Sequence, residues 1–244
     1  MVLDPRTGRP IALLEGGMLT AIRTGAASGA ATDLLARPDS RVAAIFGAGV
    51  QARTQLEAIC TVRPIRTVWI YDRIPERIET FVRELAGWLV RDPSPRICVR
   101  VATSSQEAVA DADVICTATT SSTPVFDDAD LKPGVHINGI GAYTPAMTEV
   151  PSATVKRALA VVDSRDAALA EAGDLILPIQ QGLITETHIH AELGELVLGR
   201  KQGRTGADHS TCFKSVGIAV QNALAASLAV KNAEASGLGQ RVVW

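Results

Sequence analysis

The residues best suited to chemistry form a glycine turn with the spacing G-x-G-x-x-A. The turn follows the apolar run Val42–Phe46 and consists of Gly47, Ala48, Gly49, Val50, Gln51 and Ala52. This is the spacing of a dinucleotide-binding fingerprint with alanine in its third place. Gly47 permits the tight turn, Gly49 leaves room for a pyrophosphate, and Ala52 lets a helix pack close to the strand. The N-terminus of a helix that starts near Val50 would bind the phosphates through its free N–H groups.

An acidic residue follows the glycines at the distance that a dinucleotide site requires. The segment Thr67–Asp72 is typical of a second strand that ends in an acid. An aspartate at that place bonds the ribose hydroxyls, and its charge disfavours a 2′-phosphate, so Asp72 favours NAD over NADP. The neighbouring Arg73 is able to pair with that phosphate, so NADP stays open. A buried strand with a chance glycine turn is the alternative, but the order of strand, turn, helix, strand and acid favours the dinucleotide site.

Three other polar positions are candidates for binding. The hydroxyl-rich stretch Thr117–Ser122 follows the strand Val114–Cys116, and ligands of parallel sheets lie across the carboxyl ends of the strands. Arg23 is a solvated arginine at a helix edge or a guanidinium that grips a carboxylate in bidentate fashion, and its residue context alone favours the first. Lys214 is likewise a phosphate or substrate contact, or a solvated lysine.

A short histidine string raises the question of a metal. His188, His190 and Glu192 form the pattern H-x-H-x-E. A helix would separate residues two apart, and no third-ligand motif accompanies the pair. The sequence therefore predicts no metal here, and instead the start of a helix that leads into Leu193 and Leu196.

The composition excludes several classes of protein. The chain has 244 residues, 47% of them hydrophobic and 4% aromatic, with a net charge of −2. That charge gives no reason to expect nucleic acid or an anionic membrane as a partner. The four cysteines are scattered, which is typical of reduced thiols. The first residues lack the apolar core of a signal peptide, and we expect a cytoplasmic protein.

The elements that would position these groups alternate between strand and helix, which predicts an α/β fold with a doubly wound parallel sheet. We predict a hairpin over residues 1–14 and strands over 42–46, 67–72, 97–102, 114–116, 136–142, 158–163 and 241–244. We predict helices over residues 19–36, 50–61, 75–90, 105–111 and 218–235. The small residues of the first helix indicate that it is packed on several sides.

Seven stretches together resemble one family. They are LTAIRTGAASGAATDLLA, FGAGVQARTQLEAI, ICTATTS, GIGAYTPAMTEVP, EAGDLILPIQQGLI, AELGELVLG and FKSVGIAVQNALAA. In this order they resemble the ornithine cyclodeaminase/mu-crystallin family over essentially the whole chain. The resemblance implies a Rossmann domain, here 39–217, and a small α+β substrate and dimerisation domain. Residues 1–38, completed by 218–244, would be the remnant of the second domain, and a homodimer is implied.

The resemblance also implies roles for individual residues. Arg23 matches the arginine that binds the substrate carboxylate, which reverses the reading from its context alone. Tyr143 is a candidate proton donor beside the site, although a phenol is a weak acid at neutral pH. The implied cofactor-binding residues are Gly47, Ala48, Gly49, Val50, Gln51, Asp72, Arg73, Thr117, Ala118, Thr119, Thr120, Gly141, Lys214, Ser215 and Gly217.

The sequence departs from the family pattern in two places. The family carries a segment before the hairpin with a lysine that contacts substrate, and this lysine has no counterpart here, so we expect a shortened chain or a reduced homologue. The cyclodeaminases carry an aspartate after the glycines of the fifth strand, where this chain has Ala142 and Tyr143. Without that base, ornithine cyclisation is disfavoured. We therefore predict an NAD(P)-dependent oxidoreductase that reduces an imine of an α-keto acid to an amino acid. Ornithine cyclodeaminase and a non-catalytic dinucleotide or small-ligand binder are the alternatives.

Overall fold

The computed structural model describes the backbone of residues 1–91 and 97–242 and the side chains of residues 1–85 and 97–242. It confirms an α/β fold with a parallel sheet. The strands are β1 Val2–Leu3, β2 Pro10–Ala12, β3 Val42–Phe46, β4 Thr67–Tyr71, β5 Cys98–Val101, β6 Val114–Thr117, β7 His136–Gly139, β8 Leu159–Val162, β9 Ile189–Glu192 and β10 Thr211–Lys214. The helices are α1 Gly16–Leu35, α2 Val50–Val62, α3 Pro75–Arg91, α4 Ser105–Val109, α5 Ser152–Arg157, α6 Arg165–Glu171, α7 Gly173–Gln180, α8 Leu193–Val197 and α9 Ala219–Ala235.

The main sheet is doubly wound. It has eight parallel strands in the order β5, β4, β3, β6, β7, β10, β8, β9, while β1 and β2 form a separate antiparallel hairpin. From β3 the chain winds outward through β4 to β5, and it then returns to β6 on the other side of β3. The crevice between β3 and β6 is therefore the topological switch point, where ligands of such sheets bind.

The register aligns the carboxyl ends of the central strands. Phe46 pairs with Thr117, Thr117 with Gly139, and Gly139 with Lys214. Lys214 in turn pairs with Val162. The segments that follow these strands therefore meet at one edge of the sheet, and they contain most of the predicted site residues.

Helix α1 is packed on several sides, as its composition predicts. Its buried residues include Ala21, Gly25 and Gly29, which face α2 or the sheet. A methyl group added at Gly25 would lie 2.6 Å from the carbonyl oxygen of Thr54, so the two helices touch through backbone. The Thr54 hydroxyl also donates to the carbonyl of Ala21 at 2.8 Å. This close contact fixes α1, and with it Arg23, against the helix that starts at the glycine turn.

Several predicted elements have different bounds or types. Helix α1 begins at Gly16, because the Glu15 side chain accepts from the N–H groups of Gly17 and Met18. The predicted helix through Leu193 and Leu196 is present as α8, but it does not start in the histidine string, since a 3₁₀ turn over Glu186–His188 leads into strand β9. The predicted helix over residues 218–235 is present as α9, but strand β10, Thr211–Lys214, was not predicted.

The predicted final strand over residues 241–244 is not found where the structure describes these residues. Arg241 and Val242 have no regular structure, and the rest of the predicted final strand lies outside the described residues. In residues 1–91 and 97–242, no helix combines the length and hydropathy needed to cross a bilayer.

Candidate cofactor and substrate site

The glycine turn has the geometry of a dinucleotide site. Gly47 has a φ of 91°, and a methyl group there would lie 2.7 Å from the carbonyl oxygen of Ala118, so both conformation and space require glycine. Gly49 caps the N-terminus of α2 without a side-chain hydrogen bond, and a methyl group there would meet no described atom within 4 Å. The space beside the start of α2 is therefore open, as phosphate binding requires.

Asp72 lies beside this turn, at the end of β4. Its carboxylate accepts from the N–H of Ala48 at 2.8 Å and from the N–H of Ile74 at 2.9 Å. Asp72, Arg73 and Arg77 line a cavity of about 620 Å³, which we call the cofactor cavity. Its other walls are the glycine turn and the loop after β6, which places these predicted residues around one space.

A second cavity adjoins the first. It has a volume of about 370 Å³ and shares Ala118, Thr119 and Thr120 with the cofactor cavity, and we call it the substrate cavity. Of the predicted site residues, it brings together Arg23, Gln51, Gly141, Tyr143, Ser215 and Gly217. Val50 lines neither cavity and is exposed on the far side of the turn.

Arg23 is the cation of the substrate cavity. Its Nη1 donates to Oε1 of Gln221 on α9 at 3.2 Å, while its buried Nε has no hydrogen-bond partner in the part of the chain that the structure describes. Burial lowers the pKa of the Arg23 guanidinium, and the Asp163 carboxylate opposes that shift. An arginine stays charged in proteins, so a partly desolvated donor is left available to an anionic ligand.

Asp163 holds the wall next to Arg23. This residue follows β8, and its Oδ2 accepts from the Ser215 hydroxyl at 2.9 Å. The same oxygen accepts from the N–H groups of Val216 at 3.0 Å and Gly217 at 2.6 Å. The loop after β10 is thereby fastened to the end of β8, and Gly217 lies directly against the Arg23 guanidinium.

Glu149 holds the wall that the two cavities share. It is 0% exposed, and its Oε1 accepts from the N–H and the hydroxyl of Thr119 at 2.6 and 2.7 Å. Its Oε2 accepts from the Thr117 hydroxyl at 3.0 Å and from the N–H groups of Gly141 and Ala142 at 2.6 and 3.1 Å. A single carboxylate therefore joins the loops after β6 and β7.

Lys214 does not face either cavity, in contrast to the predicted cofactor contact. Lys214 and Asp174 are each 2% exposed, and Nζ lies 3.1 Å from Oδ2 of Asp174 beneath the site. The other oxygen of Asp174 accepts from the N–H groups of Glu149 and Val150 at 2.7 and 3.0 Å. The lysine side chain points inward because Lys214 belongs to a fully buried strand, and the next residues of the chain form the cavity wall.

The histidine string is dispersed. His188 Nε2 lies 2.8 Å from the carbonyl oxygen of Val155, and His190 Nε2 lies 2.8 Å from that of Gln202. Glu192 accepts from the N–H of Arg165 at 2.8 Å. Across the described ranges, no group of three or more His, Cys, Asp or Glu side chains is arranged to hold a metal ion.

The same geometry is found in known proteins. The family model of the ornithine cyclodeaminase/mu-crystallin family matches residues 1–237. The chain belongs to this family. The family resemblance predicted from the seven stretches is thereby confirmed.

Relatives within the family are imine reductases by name. The chain is 43% identical over 243 residues to a Δ1-pyrroline-2-carboxylate reductase of Bacillus cereus, covering 99% of this chain and 73% of the relative. It is 38% identical over 228 residues to the ketimine reductase mu-crystallin of Mus musculus, covering 93% and 67%.

Solved structures of the family contain nicotinamide cofactors. The structure of the Thermococcus litoralis Δ1-pyrroline-2-carboxylate reductase in complex with NADH and L-proline superimposes with a TM-score of 0.93 at 44% identity, over 98% of this chain and 72% of that one. An archaeal alanine dehydrogenase dimer with bound NAD gives a TM-score of 0.88 at 33% identity, over 99% and 72%. These structures support the predicted nicotinamide cofactor.

Reading the sequence did not identify three acidic residues of this family member's site. Asp163 and Glu149 bind the walls of the substrate cavity, and Glu171 lines it. Asp163 carries the same signal as Asp72, an acid directly after a buried strand. Glu149 and Glu171 lie in the quoted stretches GIGAYTPAMTEVP and EAGDLILPIQQGLI, but nothing in their spacing distinguishes a wall-forming acid from a solvated one.

Proposed function

We propose that this protein is an NADH-dependent reductase of cyclic α-imino acids of the Δ1-pyrroline-2-carboxylate type, which it converts to the cyclic amino acid. The observation that carries the proposal is the half-buried Arg23 in a small cavity that shares a wall with the cofactor cavity. A carboxylate bound by Arg23 would place the adjacent imine carbon beside that shared wall. The names of the relatives in the family support the same class of reaction.

The residues present fit a bound nicotinamide dinucleotide. The uncapped N-terminus of α2 would hold the pyrophosphate and Asp72 the adenosine ribose, while Thr119 and Thr120 would lie beside the nicotinamide half. When bound, NADH supplies a hydride to the imine carbon. The chain itself contributes binding, orientation and the exclusion of water.

The charges in the substrate cavity suit a zwitterion. Arg23 supplies a fixed positive charge, and Glu171 is the acidic residue that lines the same cavity in the described structure. A protonated cyclic imine carries one carboxylate and one cationic nitrogen, which match these two groups. We propose that Arg23 binds the carboxylate and that Tyr143, at the exposed mouth, is a candidate donor of the proton that converts the neutral imine to the iminium before hydride transfer, regaining its proton from solvent. Glu171 would stabilise the iminium.

We propose NADH as the preferred cofactor and NADPH as a weaker one. Asp72 opposes a 2′-phosphate, whereas Arg73 and Arg77 line the same cavity and would attract it. The names of the solved relatives support NAD. Equal affinity for the two cofactors in a fluorescence titration would refute a discriminating role for Asp72.

We further propose a cytoplasmic homodimer. Leu13 is 85% exposed beside the hairpin, and Val220, Leu224 and Leu228 form an exposed apolar stripe on α9. The archaeal relative is described as a dimer. None of the four cysteines forms a disulfide, as expected in a reducing compartment. Light scattering of the purified chain and cell fractionation test these two points.

The deciding experiment is NADH oxidation with Δ1-pyrroline-2-carboxylate, compared with pyruvate plus methylamine. We expect turnover of the cyclic imine in the wild type. In Arg23→Lys, which keeps the charge and loses the planar fork, we expect kcat/KM for the imine to fall by about 100-fold or more, an effect of about 3 kcal/mol. NADH affinity should stay near the wild-type value, because Arg23 does not line the cofactor cavity.

The matched control is Arg66→Lys, at an exposed arginine outside both cavities. Its kinetics should equal those of the wild type. NADH binding by a wild type that reduces neither substrate would refute the reductase and support the non-catalytic binder instead.

A further inference from the structure

The wall between the cavities depends on one buried side chain that touches neither cavity. Glu149 receives five hydrogen bonds, and Thr119 and Gly141, which donate three of them, line the substrate cavity. We propose that Glu149 is a positioning residue for the reduction. Its ionised carboxylate holds the loop after β6, which forms the shared wall, against the loop after β7, which lines the substrate cavity. This inference rests on the proposed imine reduction and adds a residue to it.

The donors around Glu149 favour a carboxylate over a neutral group. Oε1 accepts from the backbone N–H of Thr119, and Oε2 accepts from the backbone N–H groups of Gly141 and Ala142. Backbone N–H groups cannot act as acceptors, so both oxygens must keep a lone pair for them. Carboxylates accept hydrogen bonds from such clusters more strongly than neutral groups do.

The surroundings of Glu149 balance its charge. Burial raises the pKa of Glu149, Asp174 acts in the same direction, and the Lys214 ammonium opposes both. Lys214 also pairs with Asp174, whose second oxygen holds the backbone N–H of Glu149. The inward lysine thus supports the carboxylate that holds the wall, which gives Lys214 an indirect role in place of the predicted cofactor contact.

An amide in place of the carboxylate would disturb a defined part of the wall. In Glu149→Gln, the NH₂ group takes the place of one oxygen and meets either the N–H of Thr119 or those of Gly141 and Ala142. Two donors then face each other without an acceptor, so one loop must move. Both loops contribute to the substrate cavity, whereas Gly47, Gly49 and Asp72 in the cofactor cavity have no bond to Glu149 in the described structure.

The experiment compares Glu149→Gln with the wild type in three measurements. We expect kcat for the cyclic imine to fall by about 10- to 100-fold, since a displaced wall misaligns the reacting atoms. We expect the Kd for NADH, from its fluorescence, to change by less than about three-fold, because the N-terminus of α2 and Asp72 are retained and, of the residues that donate to the Glu149 carboxylate, only Thr119 lines the cofactor cavity. Hydrogen exchange should become faster in peptides that cover residues 117–121 and 140–143.

The chain offers a matched control. Glu107 accepts from the N–H and the hydroxyl of Thr103, both at 2.7 Å, which reproduces the Thr119 contact on an exposed surface away from both cavities. Glu107→Gln should keep the kinetic constants of the wild type. Should Glu149→Gln fail to fold, Thr117→Val removes one hydroxyl donor and leaves every backbone contact, and we expect it to lower kcat by a few fold.

The outcomes separate this inference from the proposed function. Faster exchange in the two peptides with an unchanged kcat would show that Glu149 is only structural, and unchanged exchange would refute the proposed contact itself. If the wild type reduces no imine, the proposed function and the positioning role of Glu149 in the reduction both fail. The exchange measurement then still decides whether Glu149 holds the wall.

Discussion

Gly217, in the loop after β10, limits the space around Arg23, the group proposed to bind substrate. Its φ is +84°, a conformation that side chains disfavour, and its Cα lies against the guanidinium of Arg23. A methyl group there would lie 2.5 Å from Nη1 of Arg23. Glycine is therefore favoured at this position both by the positive φ and by the lack of space beside Arg23. Only the second of these concerns the proposed substrate site.

Substitutions can separate the effect of the positive φ of Gly217 from the effect of its contact with Arg23. Gly217→Ala should raise the KM for the cyclic imine by about 10-fold or more, because the methyl group displaces the Arg23 guanidinium. Gly199→Ala is the control, since Gly199 has a φ of +66° and no described atom within 4 Å of an added methyl group. Both variants should lose about 1–2 kcal/mol of stability from the backbone conformation. An imine KM that rises equally in both would contradict the contact with Arg23.

At the scale of elements, helix α1 contains Arg23 and connects the hairpin to the sheet. Small residues along one face let it approach α2, and its C-terminal end is fixed by Arg63, whose guanidinium donates to the carbonyl oxygens of Thr32 and Ala36. Because α2 starts at the glycine turn, this packing joins Arg23, the proposed substrate-binding group, to the turn proposed to bind the cofactor phosphates.

The closeness of the two helices gives a stability prediction. Gly25→Ala should lower the free energy of unfolding by about 1–3 kcal/mol, because the added methyl group overlaps the backbone of Thr54. Gly194→Ala, in helix α8 with no described atom within 4 Å of the added methyl group, should instead gain about 0.4–1 kcal/mol. Urea denaturation measures both, and a neutral Gly25→Ala would show that the helices separate without cost.

The elements also show which parts of the fold are readable from sequence. Strands β3, β4 and β6 are predictable because each is an apolar run followed by turn or hydroxyl residues. Strand β9 is harder to recognise, since its four residues alternate buried and half-buried positions and contain a histidine and a glutamate. Strand β10 ends in a lysine, and a buried lysine is recognisable only when its partner Asp174, far away in sequence, is known.

The residues of the candidate site also differ in whether the sequence alone can identify them. Gly47, Gly49 and Asp72 belong to one local motif. Asp163 and Glu149 instead act through hydrogen bonds to loops that lie many residues earlier or later in the chain. Local spacing contains no information about such pairings, which depend on the strand order.

At the scale of the whole molecule, buried His136 makes stability depend on pH. Burial lowers its pKa from 6.5 to about 3, and Arg204 adds to that shift. The folded chain keeps this imidazole neutral, while the unfolded chain protonates it below about pH 6.5. Stability from this group is therefore complete above pH 6.5 and is lost as the pH falls from there toward 3.

The expected loss is about 1.4 kcal/mol per pH unit between roughly pH 6 and pH 4. His136→Gln should be less stable than the wild type at neutral pH, since it disturbs the contact with Thr211. In acid, its free energy of unfolding should fall less steeply than that of the wild type, by about 1.4 kcal/mol per pH unit. His209→Gln, at an exposed histidine, should keep the wild-type slope. Urea titrations at several pH values give the slopes, and equal slopes for all three proteins would contradict the assignment.

The position of β10 in the sheet also affects the order in which parts of the fold can form during synthesis. β7 and β8 are separated by β10, whose residues come about fifty positions after β8 in the chain. During synthesis, each of the two earlier strands therefore presents an open edge until residues 211–214 have left the ribosome. The Ser215–Gly217 loop follows β10 directly, so the substrate cavity is completed in the same step that closes the sheet. A nascent chain would gain its cofactor turn early and its substrate cavity last.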